Sequence, residues 1–424
     1  MTASRPSMTT AERVAAAVAD AHRREWAFVL AATARVASDI DVAEECVQDA
    51  YVSALDAWVR DGIPRNPGAW LTTTARRKAL DVLRRQQTLR AKLPLLVEPD
   101  DVQMAEAGDE EGEFVVPDDR LRLIFTCCHP ALAREAQVAL TLRLVCGVST
   151  DDIARAFLVS EATMAARVTR AKKKISAARI AYRVPGASEL PDRLDAVLTV
   201  IHLLFTTGHT APTGDVLVRD DLVDRAIGLA RLLNALMPDE REVRGLLALL
   251  LLHDARRRTR VDGGGRLLLL EDQDRSLWDG MAIEEGHQLV LEAVRGGRPG
   301  RFALQAAIAA LHAQAPSYAE TDWAQVLGLY DALLRVWPSP VVALNRSVAL
   351  AMVRGPEAAL VEIEALESDG RLAAYRYLAA TKADLQRRLG RTSEAVASYR
   401  TALALTDNEL ERAFLRGRLS ELGA

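Results

Sequence analysis

No stretch of this 424-residue chain holds eighteen consecutive apolar residues, so nothing in it reads as a membrane span. Aromatic side chains make up only 5% of it, and β-branched residues come in short runs. With Ala, Leu and Arg dominant, that scarcity disfavours strands and favours helices nearly everywhere. Four cysteines (Cys46, Cys127, Cys128 and Cys146) lack the paired spacing of a disulfide framework or a zinc site. Cys127, Cys128 and His129 are consecutive. Successive helical residues diverge by about 100°, so these three converge poorly on one ion, and no metal is expected. The opening MTASRPSMTTAERVAA has no apolar signal core and gives no sign of export. No nucleotide loop, ligand spacing or nucleophile arrangement stands out, so neither an enzyme nor a cofactor is expected. These absences leave an all-α, soluble, reduced, cytoplasmic protein, long enough for two to four domains.

What the chain does have is charge in blocks. Its net charge is only −4, yet residues 71–90 are basic, 94–119 are acidic and carry Pro and Gly, and 167–174 are basic again. Beyond about residue 185 the charges mix evenly on amphipathic patterns. The spacing predicts two small helical units, 8–90 and 119–184, joined by an acidic flexible linker over 91–118. A larger helical unit over 186–424 follows.

The second unit ends in STDDIARAFLVSEATMAARVTRAKKKIS. Ser149 or Thr150 can cap a helix whose first turn carries Asp151 and Asp152, as the helix dipole favours. Ile153, Ala154 and Phe157 would face inward. After a short break, Ser160 can cap a second helix. Thr163, Arg167, Arg170 and Lys174 share one face of it, and Ala165, Val168 and Ile175 fall on the other. A short helix, a tight turn and a longer helix with polar residues at its start form the helix-turn-helix pattern. Ser160, Glu161, Thr163, Met164 and Arg167 would then lie near base edges in the major groove. Arg170, Lys172, Lys173 and Lys174 would reach phosphates. Leu158 stands in the turn where many such motifs place Gly; a left-handed backbone there would cost Leu of order 1 kcal/mol. The alternative is a helical hairpin with a solvated face.

In the first unit, DVAEECVQDAYVSALDAW sets Ala43, Val47, Ala50, Ala54 and Trp58 on one helical face. Asp41, Glu45, Asp49 and Asp56 line another, which is either solvated or meets a basic protein partner. The loop DGIPRNPG breaks this helix. The next reads AWLTTTARRKALDVLRRQ, with Leu71, Ala75, Ala79, Val82 and Leu83 able to pack. Arg76, Arg77, Lys78, Arg84 and Arg85 are its cations, Thr72 to Thr74 its hydroxyls. Trp70 is either core or a stacking platform for single-stranded nucleic acid.

The ordered set resembles the extracytoplasmic-function class of bacterial RNA polymerase sigma factors, over residues 10–182. The resemblance implies that the acidic helix docks on the clamp helices of the polymerase largest subunit, through Asp41, Glu44, Glu45 and Asp49. It implies that Asn66, Trp70, Thr72, Arg76, Arg77, Lys78, Arg84 and Arg85 open and hold the −10 promoter element. The helix-turn-helix would read the −35 element, next to the polymerase flap. Where the family usually has Asn in the second helix this chain has Arg77, which bears on the −10 base preference.

The extension carries spacing similar to tetratricopeptide repeats, strongest at 325–424, where Gly355-Pro356 and Gly390-Arg391 mark turns. Stacked helical pairs imply a concave face for a peptide or protein, or packing within the chain. Asp262, Gly263, Gly264 and Gly265 form a permissive turn, either an anion nest or a tight connection. Asp272 and Asp274 follow it as interface candidates. His202, His209 and His253 share no spacing and read as core or surface residues. The whole extension is similar to that of one sigma subgroup, in which it is thought to act on the sigma regions within the same chain. A stand-alone helix-turn-helix regulator with a repeat-type sensor is the alternative, and it gives the acidic helix face no role.

Overall fold

The chain is seen in a computed structural model, described here over residues 9–37, 39–92, 119–157, 159–186, 188–211 and 213–424. Among these residues there are eighteen α-helices and two strands of two residues each, so the fold is all-α. The acidic linker beyond residue 92 and Leu158 lie outside the described residues.

The chain divides into two compact units, residues 1–200 and 201–424. The first begins with three helices, α1 (Thr10–Ala37), α2 (Ile40–Asp61) and α3 (Pro67–Lys92), mutually packed. Small residues let them approach closely. Ala43, Val47, Ala50 and Ala54 of α2 are fully buried with Trp58, against Val29 and Leu30 of α1 and Leu71, Ala75 and Ala79 of α3. Asp39 caps α2 by accepting from the amides of Asp41 (2.8 Å) and Val42 (3.0 Å). Gly62 ends the helix, its amide donating to the Trp58 carbonyl. Asn66 caps α3 through the Ala69 amide (3.0 Å).

Four shorter helices follow: α4 (Asp119–Cys127), α5 (Arg134–Leu140), α6 (Thr150–Ala156) and α7 (Glu161–Ala177). Their core holds Leu121, Ile124, Phe125, Leu140, Ile153, Met164 and Val168. A π-turn over Thr141–Val145 widens the chain after α5, a local departure that re-aims side chains. Ser149 caps α6 through the Asp152 amide (3.1 Å), and Ser160 caps α7 through the Thr163 amide (3.2 Å). Helix α8 (Leu190–His209) then runs past residue 200.

In the second unit, α9 (Asp220–Leu236), α10 (Arg241–Asp254), α11 (Gly280–Val294) and α12 (Arg301–Gln314) form a bundle around α10. Every residue of α10 from Gly245 to Leu252 is buried, which is why its sequence is apolar all round. Gly245 allows the closest crossing, since a Cβ there would meet the Ala303 amide nitrogen at 2.6 Å. Six further helices pack each against the next: α13 (Trp323–Val336), α14 (Pro340–Arg354), α15 (Pro356–Asp369), α16 (Arg376–Arg388), α17 (Thr392–Ala404) and α18 (Glu409–Glu421). Asp407–Asn408 pairs in parallel with Thr213–Gly214. The buried Asn408 side chain donates to the carbonyls of Ala211 (3.1 Å) and Val216 (2.9 Å).

The histidines that share no sequence spacing gather inside this bundle. The rings of His209 and His253 lie 5.9 Å apart, and the Arg260 guanidinium sits 3.0 Å from His209 Nδ1. Burial, together with Arg301 for His202 and with Arg256 and Arg275 for His312, pushes these two imidazoles down to about 4. Burial and nearby arginines also push His209 and His253 well down. The unfolded chain protonates such groups near 6.5 and so binds more protons than the folded chain below that pH. Stability of this unit therefore falls as pH drops from about 6.5 towards about 4, by about 1.4 kcal/mol per pH unit for each neutral imidazole. Thermal unfolding of the full chain followed by circular dichroism is expected to show a transition that moves down between about pH 7 and about pH 5. A transition temperature that stays constant over that range contradicts the assignment.

Candidate nucleic-acid and partner-binding surfaces

Helix α2 presents two outward faces. Glu45, Asp49 and Asp56 are exposed on it, as the sequence pattern predicts. Beside them runs an apolar stripe that the pattern did not single out: Val52 (62% exposed), Leu55, Val59 and, past the helix end, Ile63. Spacings of three and four residues put Val52, Leu55 and Val59 in one row on the helix. An exposed apolar row rimmed by carboxylates has the chemistry of a protein-facing patch, while its negative rim would repel nucleic-acid phosphates. The signal was present in the sequence, as a second apolar periodicity offset from the Ala43–Trp58 stripe.

Glu44 does not belong to that open face. It is 5% exposed and ion-paired to residues far along the chain. Arg143, on the π-turn, reaches Glu44 Oε1 at 2.6 Å. Lys172, on α7, reaches Glu44 Oε2 at 2.6 Å and Asp41 Oδ1 at 2.7 Å. Around these pairs the Trp26 indole donates to the Leu144 carbonyl (3.0 Å), Tyr182 donates to the Ala31 carbonyl (3.1 Å), and Arg35 pairs with Asp119 (3.2 Å). Gly147, at φ 66°, lets Trp26 close in; a Cβ there would lie 3.0 Å from the indole. Burial alone would pull the Lys172 ammonium down, but Glu44 and Asp41 hold it above the ordinary lysine value.

Lys172 is accordingly not a solvent-facing phosphate contact here; its side chain is only 12% exposed. Met164 is a second correction. It is fully buried, because it falls one residue from Thr163 and hence about 100° around the helix, towards α6 and Val168. The outward face at the start of α7 carries Ser160, Glu161 and Thr163, with Arg167 half-buried and Arg170, Lys173 and Lys174 exposed. Ala165, expected inside, is exposed.

On α3, Arg77, Arg84 and Arg85 are exposed and Lys78 is half-buried, 3.5 Å from Asp49. Arg76 donates to the Ala32 carbonyl (3.3 Å) and so ties α3 to α1. Thr72 is buried, its hydroxyl donating to the Gly68 carbonyl (2.8 Å), which removes it from the candidate nucleic-acid face. Asn66 uses its carboxamide oxygen as the helix cap. Trp70 is half-buried, edge-on to Trp58 at 5.7 Å, with one side still open.

The other candidates resolve simply. Cys127 and Cys128 are buried, and burial pushes the Cys128 thiol up to about 11, so a thiolate ligand is disfavoured. Asp262 closes its own turn: its carboxylate accepts from the amides of Gly264 (2.9 Å) and Arg266 (2.8 Å), and its carbonyl from the Gly265 amide (3.0 Å). Those amides are engaged, so the nest reading gives way to the tight connection. Asp274 caps the turn Arg275–Leu277, and Asp272 is exposed. A cavity of about 550 Å³ is lined by Tyr318, Trp323, Tyr330, Asn345 and Arg387.

The sigma-70 region 2 family matches residues 22–88, which fall within α1 to α3, and the sigma-70 region 4 family matches residues 122–175, which fall within α4 to α7. The chain therefore carries a sigma-70 region 2 and a sigma-70 region 4. A family of unknown function, DUF6596, matches residues 193–294, from α8 to α11. The uncharacterized protein R00370 of Rhizobium meliloti (strain 1021) is 45% identical over 397 residues, 93% of each chain, so the two share one family along nearly their whole length. The probable ECF RNA polymerase sigma factor SigI of Mycobacterium tuberculosis is 30% identical over 176 residues, 40% of this chain and 58% of SigI. No solved structure matches. Sigma-70 regions 2 and 4 are non-catalytic regions that bind RNA polymerase and promoter DNA. No helix among the described residues is long and apolar enough to cross a membrane.

The inward and outward faces of α7 separate folding from binding. Met164→Ala is expected to cost about 2–5 kcal/mol of stability in urea unfolding, as for a large side chain removed from a core. Arg170→Ala is expected to stay within about 0.5 kcal/mol. Equal effects for the two would contradict this inside-outside assignment.

Proposed function

We propose that this sigma factor binds core RNA polymerase through the exposed face of α2 and directs promoter-specific initiation. The single observation that carries the reading is the α2 surface, an uncovered apolar row of Val52, Leu55 and Val59 flanked by Glu45, Asp49 and Asp56, lying within the matched region 2. Apolar area with a carboxylate rim suits a basic helical partner, such as the clamp helices of the polymerase largest subunit. The exposed cations Arg77, Arg84 and Arg85, with the open side of Trp70, suit the melted −10 strand, where phosphates pair and bases stack. Ser160, Glu161, Thr163 and Arg167 are in reach of base edges in the −35 major groove, while Arg170, Lys173 and Lys174 approach phosphates. Splitting recognition between two regions allows two DNA elements to be read across an unread spacer.

The tetratricopeptide-like helical pairs over 325–424 and the bundle before them modulate the sigma regions of the same chain. Their cavity is suited to a protein segment.

Run-off transcription with core polymerase and the full chain, on DNA upstream of its own gene, is expected to give discrete promoter-dependent products. Val52→Asp with Asp49→Lys is expected to lower polymerase binding about tenfold or more while helical content is unchanged. Normal binding by that variant would sink the docking assignment. Arg167→Ala with Arg170→Ala is expected to weaken initiation only on templates with an intact −35 element; a defect confined to −10 opening would reverse the groove assignment. Removing residues 186–424 is expected to change the yield of product, and an unchanged yield would argue against modulation.

A further inference from the structure

Glu44 and Asp41 sit at the N-terminal end of the helix assigned above to polymerase docking, yet their carboxylates are already engaged by cations from region 4. Arg143 and Lys172 are separated from Glu44 by about a hundred residues or more, so this is a contact between two regions and not a local helix pair. Lys172 is at the same time one of the α7 cations expected to reach promoter phosphates. One side chain therefore stands at the crossing of both functions, and in this arrangement it serves neither.

We propose that these ion pairs form an autoinhibitory clasp, in which region 4 holds the acidic end of α2 until a basic polymerase surface displaces Arg143 and Lys172. The proposal rests on the polymerase-docking reading of α2. The two states are mutually exclusive for a simple reason. Glu44 is 5% exposed, and its two oxygens each already face a cation at 2.6 Å, so a second basic partner must replace the first. The remainder of α2 is not covered in the same way. Val52, Leu55 and Val59 stay exposed, and Asp49 is contacted only by Lys78 at 3.5 Å among the ion pairs of the described residues. Docking can thus begin on the open C-terminal half of α2 and proceed towards Glu44. Release of Lys172 frees α7 as the same step exposes the acidic end.

The Trp26–Leu144, Tyr182–Ala31 and Arg35–Asp119 contacts define the seam that opens with the clasp.

The test is a zero-length carbodiimide cross-link on the full chain, read by peptide mass spectrometry, paired with core-polymerase binding in the absence of promoter DNA. A Lys172 to Glu44 or Asp41 cross-link is expected in the free chain and is expected to vanish from the polymerase-bound fraction. Arg143→Ala with Lys172→Ala is expected to bind core polymerase about tenfold more tightly, a coupling of ordinary allosteric size. Lys172→Arg keeps a cation in place and is expected to bind like the parent chain. A missing cross-link in the free chain, a cross-link that persists on polymerase, or a double variant with parental or weaker affinity and intact helical content overturns the clasp. If the cross-link forms but neither parent nor double variant binds polymerase at all, the docking reading falls and takes the clasp's regulatory role with it. That outcome is told apart from the others by the parent chain's own binding curve.

Discussion

A carboxylate withdrawn from water must have cations beside it, and the first unit is organised around that requirement at Glu44. Leaving one partner of a buried pair alone costs about 3–5 kcal/mol in general. Arg143 and Lys172 meet the requirement, but they come from two separate elements of region 4, the π-turn and α7. Satisfying one side chain of α2 therefore fixes where α7 and the π-turn lie relative to α1 and α2. The wider π-turn earns its place here, since it carries both Arg143, aimed at Glu44, and Leu144, whose carbonyl receives the Trp26 indole.

The parts of this architecture that sequence pattern could reveal are those governed by local spacing. The Ala43–Val47–Ala50–Ala54–Trp58 stripe is buried as its period predicts, and Asp39, Asn66, Ser149 and Ser160 sit where their capping chemistry places them. Glu44 enters the expected docking set through the resemblance alone, and its helical period does not say what lies opposite. The information needed was the position of Lys172, 128 residues away. Met164 was drawn to the DNA face by its place near the start of the second helix of the motif, whereas one step of helical rotation turns it into the core. Thr72 failed in the same manner, being a polar residue whose hydroxyl is satisfied within its own helix.

The extension shows the complementary case. Its helices were legible from small-residue spacing and from turn signals such as Gly355-Pro356, at which α14 ends and α15 begins. The histidines were not, because His209, His253 and His312 come from three helices and converge only in the folded bundle. Asp262 illustrates why a glycine-rich turn is ambiguous in one dimension. The same amides can face an outside anion or an internal carboxylate, and here the chain supplies the anion itself.

Asn408 has a wider effect than its two hydrogen bonds suggest. In an open stack of helical pairs each pair touches only its neighbours, so the last can fray while the first stays folded. This stack is stitched back on itself, because Asn408 holds the chain at Ala211 and Val216, nearly two hundred residues earlier. The closure converts a linear array into a ring of interdependent packing. Its C-terminal pair cannot unravel without loosening the segment that follows α8, the helix by which the chain leaves region 4.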